Sequence, residues 1–230
     1  MTNDGAQSSG TACIELHYLP CLRYFSLFFS YERLLIEACE TYQKRSYRNR
    51  CHIGGANGVM RLSIPLVSGK HSGQAIRDVR MSNHQDWRRA HWHSIVSAYG
   101  KTPFFFHYAP ELESLIMTPG DSLFSHSLTL LKWCMHQLGL SDSRLELSRH
   151  YAAELSESIE DWRHRIVPSG KDGKYSHNEK GRYLQPFSDR HGFIPNLSII
   201  DLLFCAGPEA SAILQKMVAG GEYKLDLSGH

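Results

Sequence analysis

Short apolar runs alternate with polar turns in the first half of the chain, and longer apolar faces at helical spacing fill the second half. Residues 12–17 read Ala-Cys-Ile-Glu-Leu-His, a short and partly buried strand. Pro20 stands where a first helical turn accepts it. Leu22, Phe25, Phe28 and Phe29 then share a broad apolar face, which predicts a helix to about Phe29. Residues 33–39 read as a second strand. Strand, helix and strand in succession make a βαβ unit, with parallel strands and a right-handed crossover. Residues 40–58 are polar and cationic and end in Gly-Gly-Ala-Asn-Gly, a turn signal. Residues 59–66 alternate with period two, which predicts a strand with one polar face, and Pro65 puts it at an edge or at its end. A loop at 69–73 and a further strand at 75–81 follow.

Helices dominate from there on. The pattern predicts them at about 85–99, with Asn83 as cap, at 105–116, and at 122–138, ended by Gly139. Residues 145–148 read as a short strand. Residues 168–182 are almost free of apolar side chains and read as a long, exposed, mobile loop. An apolar helix over 197–206 closes at Gly207, and Pro208 opens a last helix that ends near Gly220. The expected fold class is α/β: a small, mainly parallel N-terminal sheet flanked by helices, with a helical second half. One domain over 12–220 is expected between tails at 1–11 and 221–230. A nucleotidyltransferase-like Rossmann variant is one form of this class, by analogy alone.

Charge changes the picture little in total and more in detail. The formal net charge is +2, too near neutral for bulk nucleic-acid binding. The cations are bunched, however, at 44–50 and at 88–89. Six cysteines form no CxxC pair, which fits reduced thiols in a cytosol. Residues 1–10 have neither the basic start nor the apolar core of a secretory leader, and no apolar run approaches the ~20 residues that span a bilayer. The expectation is a soluble, cytoplasmic protein with no nucleic-acid partner and no membrane insertion.

Four constellations carry candidate chemistry. His17, Tyr18 and Tyr24 lie at the turn after the first strand, where α/β folds place ligands and where a His and a Tyr could polarise or deprotonate a substrate. The bland alternative is amphipathic packing. Lys44, Arg45, Arg48, Asn49 and Arg50 offer a clamp for phosphate or carboxylate, interleaved with Tyr42 and Tyr47, although a solvated basic loop is the commoner fate of such a run. Trp87, His91, Ile95 and Tyr99 share one apolar helix face, so His91 points to the core or to a pocket, as a general base or as a hydrogen-bonded core residue. Asp201 sits in an apolar helix and needs a partner, for which the 44–50 cations are the candidates. Cys21 at a helix N-terminus is a weak candidate for a thiol of lowered pKa. No His, Cys and acid spacing suggests a metal site, and there is no Walker loop, GxGxxG or GxSxG.

Together these segments resemble the WbqC-like protein family, named for a protein of O-antigen gene clusters. Glu15-Leu16-His17-Tyr18-Leu19-Pro20-Cys21-Leu22-Arg23-Tyr24-Phe25 resembles the family's opening Gln-Pro-x-Tyr-Leu-Pro-Trp-x-Gly-Tyr-Phe. Lys44 to Arg50 resembles its Lys-Arg-x-Trp-x-Asn-Arg element, and Trp87 to His91 its Trp-x-x-x-His element. Tyr183-Leu184-Gln185-Pro186-Phe187 and the run from Asn196 to Phe204 are similar to its late element. The departures are Glu15-Leu16 for Gln-Pro, Arg23 for Gly, and Ala38-Cys39 where the family tends to carry an Asp pair, with Glu37 and Glu40 alongside.

The resemblance implies surface-polysaccharide or related small-molecule biosynthesis, and modification of an amino sugar or of an acyl or aminoacyl group. The substrate would be a small molecule, carrier- or nucleotide-linked in one version; the cofactor is unknown and no metal is expected. The expected catalytic residues are His91 as general base, Tyr18 as donor to an oxyanion, and Asp201. Those expected to bind substrate are His17, Tyr24, Lys44, Arg45, Asn49, Arg50, Trp87 and Gln185. Tyr18, the 44–50 cations, His91 and Asp201 are expected to converge on one concavity. A non-catalytic binding or scaffold protein of the same pathway is the alternative, because Ala38-Cys39 replaces acids that could do chemistry.

Overall fold

A computed structural model describes residues 8–67, 73–83, 86–118, 120–168 and 181–220. Strand β1 (Ser8–Glu15) leads through helix α1 (Leu22–Ser30) to β2 (Tyr31–Glu37), and the two strands pair in parallel, Cys13 beside Leu35 and Glu15 beside Glu37. Two three-residue strands complete the sheet in parallel, β5 (Leu145–Leu147) outside β2 and β6 (Ile159–Asp161) outside β1, giving the order β5-β2-β1-β6. The predicted βαβ unit and α/β class are therefore present. The central pair is buried on both faces, as a covered parallel sheet requires: Ala12, Cys13, Ile14, Leu34 and Ile36 have no exposed surface.

Helix α1 is buried along almost its whole length and packs on β2, α6 (Ile199–Ala206) and α7 (Ala210–Ala219). Its N-terminus is closed from a distance. Cys21 gives no side-chain cap, and instead the Asn196 side-chain Oδ1 accepts from the Arg23 N–H at 3.0 Å. The same late segment grips the turn after β1: Leu197 C=O accepts from Leu22 N–H at 3.0 Å, Pro20 C=O from Ile199 N–H at 2.8 Å, and Leu19 C=O from the Ser198 hydroxyl at 2.8 Å.

Residues 50–58, read from the sequence as part of a polar turn region, instead supply most of an antiparallel ribbon, β3 (Arg50–Gly55) and β4 (Gly58–Ser63). Cys51, Ile53 and Leu62 turn inward, which outweighs the polarity of their neighbours. The predicted strand at 75–81 is a 3₁₀ turn, Ile76–Asp78, flanked by single bridges to Thr41, Leu66 and Ser122. The first strand starts at Ser8, not at residue 12, because the Ser8–Thr11 end pairs with Tyr31 and Arg33. Helices α2 (Trp87–Tyr99), α3 (Phe105–Met117) and α4 (Leu123–Gln137) match the periodicity, although Asp86, not Asn83, caps α2. The four-residue α5 (Ser188–His191) and β6 had no signal in the pattern. Most of the predicted loop at 168–182, nearly all of the 69–73 loop, residues 1–7 of the N-terminal tail and the whole tail at 221–230 lie outside the described residues, whereas residues 8–11, read as tail, are strand.

Candidate active site at the carboxyl edge of the sheet

Alternation in β1 puts Glu15 and His17 on one side of the chain as it leaves the sheet, and the parallel register puts Glu37 directly beside Glu15. Two adjacent carboxylates repel one another unless cations intervene. Here two arginines do. Arg48 lies 3.6 Å from Glu15 and grips Glu40 with Nε and a terminal nitrogen, the Nε bond being 2.7 Å. Arg163 reaches Glu37 at 3.3 Å and holds Asp161 with two bonds of 2.7 and 2.9 Å. Ser148 donates its hydroxyl to Glu37 at 2.6 Å, and the Cys39 N–H donates to the same oxygen at 3.0 Å. The second oxygen of Glu15 accepts from the backbone of His164 at 2.9 Å, a residue held at φ 64°. Glu15, Glu37, Glu40, Arg48 and His17 are all at most 3% exposed. Desolvating so many charges costs more than their pairing returns in most proteins, so a network of this kind at strand ends points to chemistry.

His17 is its least satisfied member. Nε2 donates to Glu15 at 3.3 Å, and Nδ1, buried, has no protein partner among the described residues. Burial lowers the His17 pKa; Glu15 pulls it up and Arg48 again down, so the ring is neutral near pH 7. Burial raises Glu15, but His17, Arg48 and the His164 N–H outweigh it and hold the carboxyl at about 2. A neutral imidazole backed by a carboxylate, with a free lone pair, is the base half of a catalytic triad. The Tyr24 ring packs 4.9 Å from His17, and its buried hydroxyl, within electrostatic reach of Glu15 and Glu40, also has no protein partner among the described residues. Tyr47 packs 5.4 Å from the imidazole and, edge-on, 5.4 Å from His52, whose Nδ1 lies 3.4 Å from its hydroxyl.

The expected single concavity is not what forms. Tyr18 and His91 do meet: the His91 Nε2 donates to the Ser63 carbonyl at 3.2 Å, which leaves Nδ1 to accept from the Tyr18 hydroxyl at 3.0 Å. Both ring nitrogens are thus engaged, and burial presses the His91 pKa down to about 4. Trp87 packs edge-on to His91 at 5.0 Å and to His126 at 5.7 Å, with the Arg88 guanidinium 4.6 Å above it. Asp201 does not pair with the 44–50 cations, contrary to the expectation from the sequence. Tyr183 and Gln185 donate to one of its oxygens at 2.5 and 3.0 Å, and Gly54 and the Tyr99 hydroxyl stand beside it. Burial still raises its pKa. The Ser63 end of the ribbon, where His91 sits, and Gly54 lie about 13 Å apart along the strand. Asn49 donates to the Ile64 carbonyl at 2.9 Å, a strand-closing role. Lys44 and Arg45 are exposed, and Arg50 is half-buried. Cys21 is no activated thiol: burial pushes its pKa up to about 11.

Sequence reasoning missed Glu15 as a working group, although a Glu and a His two residues apart at a strand end were a usable signal. Arg163 and His164 gave none, because the strand that delivers them is three residues long. A shallow concavity of about 220 Å³ lies elsewhere, between the 55–60 hairpin and Ser97–Ala98 of α2. Among the described residues no group of three or more His, Cys, Asp or Glu side chains is placed to hold a metal, and no helix is long and apolar enough to cross a membrane.

The model of the WbqC-like protein family matches residues 16–213. An uncharacterized protein of Mycobacterium tuberculosis (strain ATCC 25618 / H37Rv), Rv1507c, is 25% identical over 230 residues, spanning 89% of this chain and 96% of its own length. No solved structure matches.

Proposed function

From the premise that the chain belongs to the WbqC-like protein family, we propose that it is a group transferase of surface-polysaccharide or related small-molecule biosynthesis, acting on an amino-sugar, acyl or aminoacyl substrate with His17 as its base. The observation that carries this reading is the buried Glu15–His17 pair at the carboxyl ends of the central strands, with the His17 Nδ1 lone pair uncommitted. His17 takes the proton of an attacking amine or hydroxyl as that atom forms its bond to the transferred carbonyl carbon. Glu15 stabilises the imidazolium, and the proton passes to the leaving group as its bond to that carbon breaks. The Tyr24 hydroxyl is a donor for the oxyanion between those events. The imidazole has no exposed surface, so substrate reaches it only after a side chain such as Tyr47 swings aside.

The test is turnover of acyl, aminoacyl and amino-sugar donors and acceptors, selected by thermal shift, in the wild type and in His17→Asn and Glu15→Gln. The expected result is a loss of kcat of about 100-fold or more in His17→Asn, with the thermal shift by ligand retained. Turnover at the wild-type rate in both variants would sink the reading. The second reading, a binding or scaffold protein of the same pathway, is favoured by Ala38-Cys39 standing where the family tends to carry acids, and it predicts stoichiometric binding without turnover.

A further inference from the structure

The alternation that buries Cys51, Ile53 and Leu62 puts Arg50, His52, Arg61 and Ser63 on the outward face of the β3–β4 ribbon. The register sets His52 opposite Arg61 and Arg50 opposite Ser63, so the two arginines are diagonal neighbours, about 7–8 Å apart at the backbone. Arg45, at φ 59°, brings a third guanidinium within electrostatic reach of Arg50. Among the described residues none of Arg45, Arg50 and Arg61 makes an ion pair with an acid. The acids of this region, Glu15 and Glu40, are consumed by Arg48 behind them. The Arg50 Nε and the Ser63 hydroxyl are buried and have no protein partner among the described residues. Like charges at cross-strand distance destabilise a ribbon, and a half-buried guanidinium with an unmet donor adds to the cost.

We infer that this face is a subsite for a diphosphate group, with Arg45, Arg50 and Arg61 as its charged donors and His52 and Ser63 as neutral ones. Three guanidiniums with no acid partner among the described residues can together neutralise both phosphates of a diphosphate, and their forked donors match its oxygens. A single carboxylate would satisfy only one of them. Burial and the Arg50 and Arg61 charges lower the His52 pKa, which leaves its ring neutral. The subsite adjoins the proposed base through Tyr47, whose ring contacts both His17 and His52. It therefore deepens the transfer reading, by making the substrate diphosphate-linked, and rests on that reading for its purpose but not for its binding.

The experiment is isothermal titration of the full chain with inorganic pyrophosphate and with UDP. The expected result is saturable binding that weakens as salt rises, and that falls about tenfold or more in Arg61→Gln and in Arg50→Gln, each the loss of one charge-assisted contact. Arg61 is exposed, so its variant folds whatever Arg50→Gln does. Tighter binding of UDP than of pyrophosphate assigns a nucleotide-linked substrate. Equal affinity assigns a diphosphate on another carrier. Absence of pyrophosphate binding at millimolar concentration, wild-type affinity in Arg61→Gln, or a single-stranded RNA oligonucleotide displacing UDP at lower concentration overturns the inference. His17→Asn keeps pyrophosphate affinity in either case. Binding that depends on Arg61, with no turnover that depends on His17, therefore defeats the transfer reading and leaves the subsite standing.

Discussion

Replacing Arg48 by Met isolates what the buried network costs. The guanidinium is 2% exposed and stands between two carboxylates, binding Glu40 through two nitrogens and lying 3.6 Å from Glu15. Methionine fills much of the same volume but leaves Glu40 buried with no cation. Removing one partner of a buried pair costs about 3–5 kcal/mol, because the charge left behind is uncompensated. In a domain of this size each kcal/mol moves the melting temperature by about 2–4 °C, so the expected fall is roughly 6–20 °C at pH 7. The assay is thermal and urea unfolding followed by far-UV circular dichroism, on Arg48→Met, Glu40→Gln and the double variant. The double variant is expected to be less damaged than the sum of the two, with a coupling of about 1–3 kcal/mol. The penalty of Arg48→Met is also expected to shrink as pH falls toward 5, since a carboxylate stripped of its cation takes up a proton more readily. A loss below about 1 kcal/mol, or simple additivity with Glu40→Gln, would show that these charges are solvated in solution and that the network is not the closed structure described above.

Three further outcomes follow from the same geometry. Glu15 is held at about 2 against an ordinary 4.5, so the stability it supplies is fully present above pH 4.5 and is lost as pH falls through 2; at about 1.4 kcal/mol per unit this is about 3 kcal/mol, to be read as a shallower acid limb of urea midpoints in Glu15→Gln. His91 is depressed to about 4, so it too supplies stability above its ordinary pKa that is lost as pH falls from about 6.5 toward 4; His91→Gln is expected to flatten that window, and an unchanged slope refutes the buried neutral ring. Asp201→Ala leaves the Tyr183 hydroxyl and a Gln185 amide donor without their acceptor and is expected to cost about 2–4 kcal/mol in chemical denaturation, whereas Asp201→Asn, which keeps an acceptor oxygen, costs less.

The pattern of apolar positions sufficed for what is local. It located α1 through α4, α6 and the β1-α1-β2 unit to within a few residues, because each buries a stripe or a run long enough to set its own period. It also marked the cation run at 44–50 and the lone carboxylate of α6 as positions that need an explanation. What it left open was partnership. Arg48 and Arg50 are two residues apart in one basic run, yet Arg48, in the 3₁₀ turn Tyr47–Asn49, lies buried against Glu40, while Arg50, the first residue of β3, faces outward beside Arg61; the change from turn to strand between them separates the two. Asp201 finds its donors on Tyr183 and Gln185, from the segment just before its own helix, not on the cations that charge alone suggested. Glu15 became part of a site only when parallel pairing set it beside Glu37 and when two residues delivered by a three-residue strand, Arg163 and His164, closed over both. Periodicity reports how far each position is from water. Which charge meets which is decided by strand order and register, through contacts between residues more than a hundred positions apart, and those exist only in the folded chain.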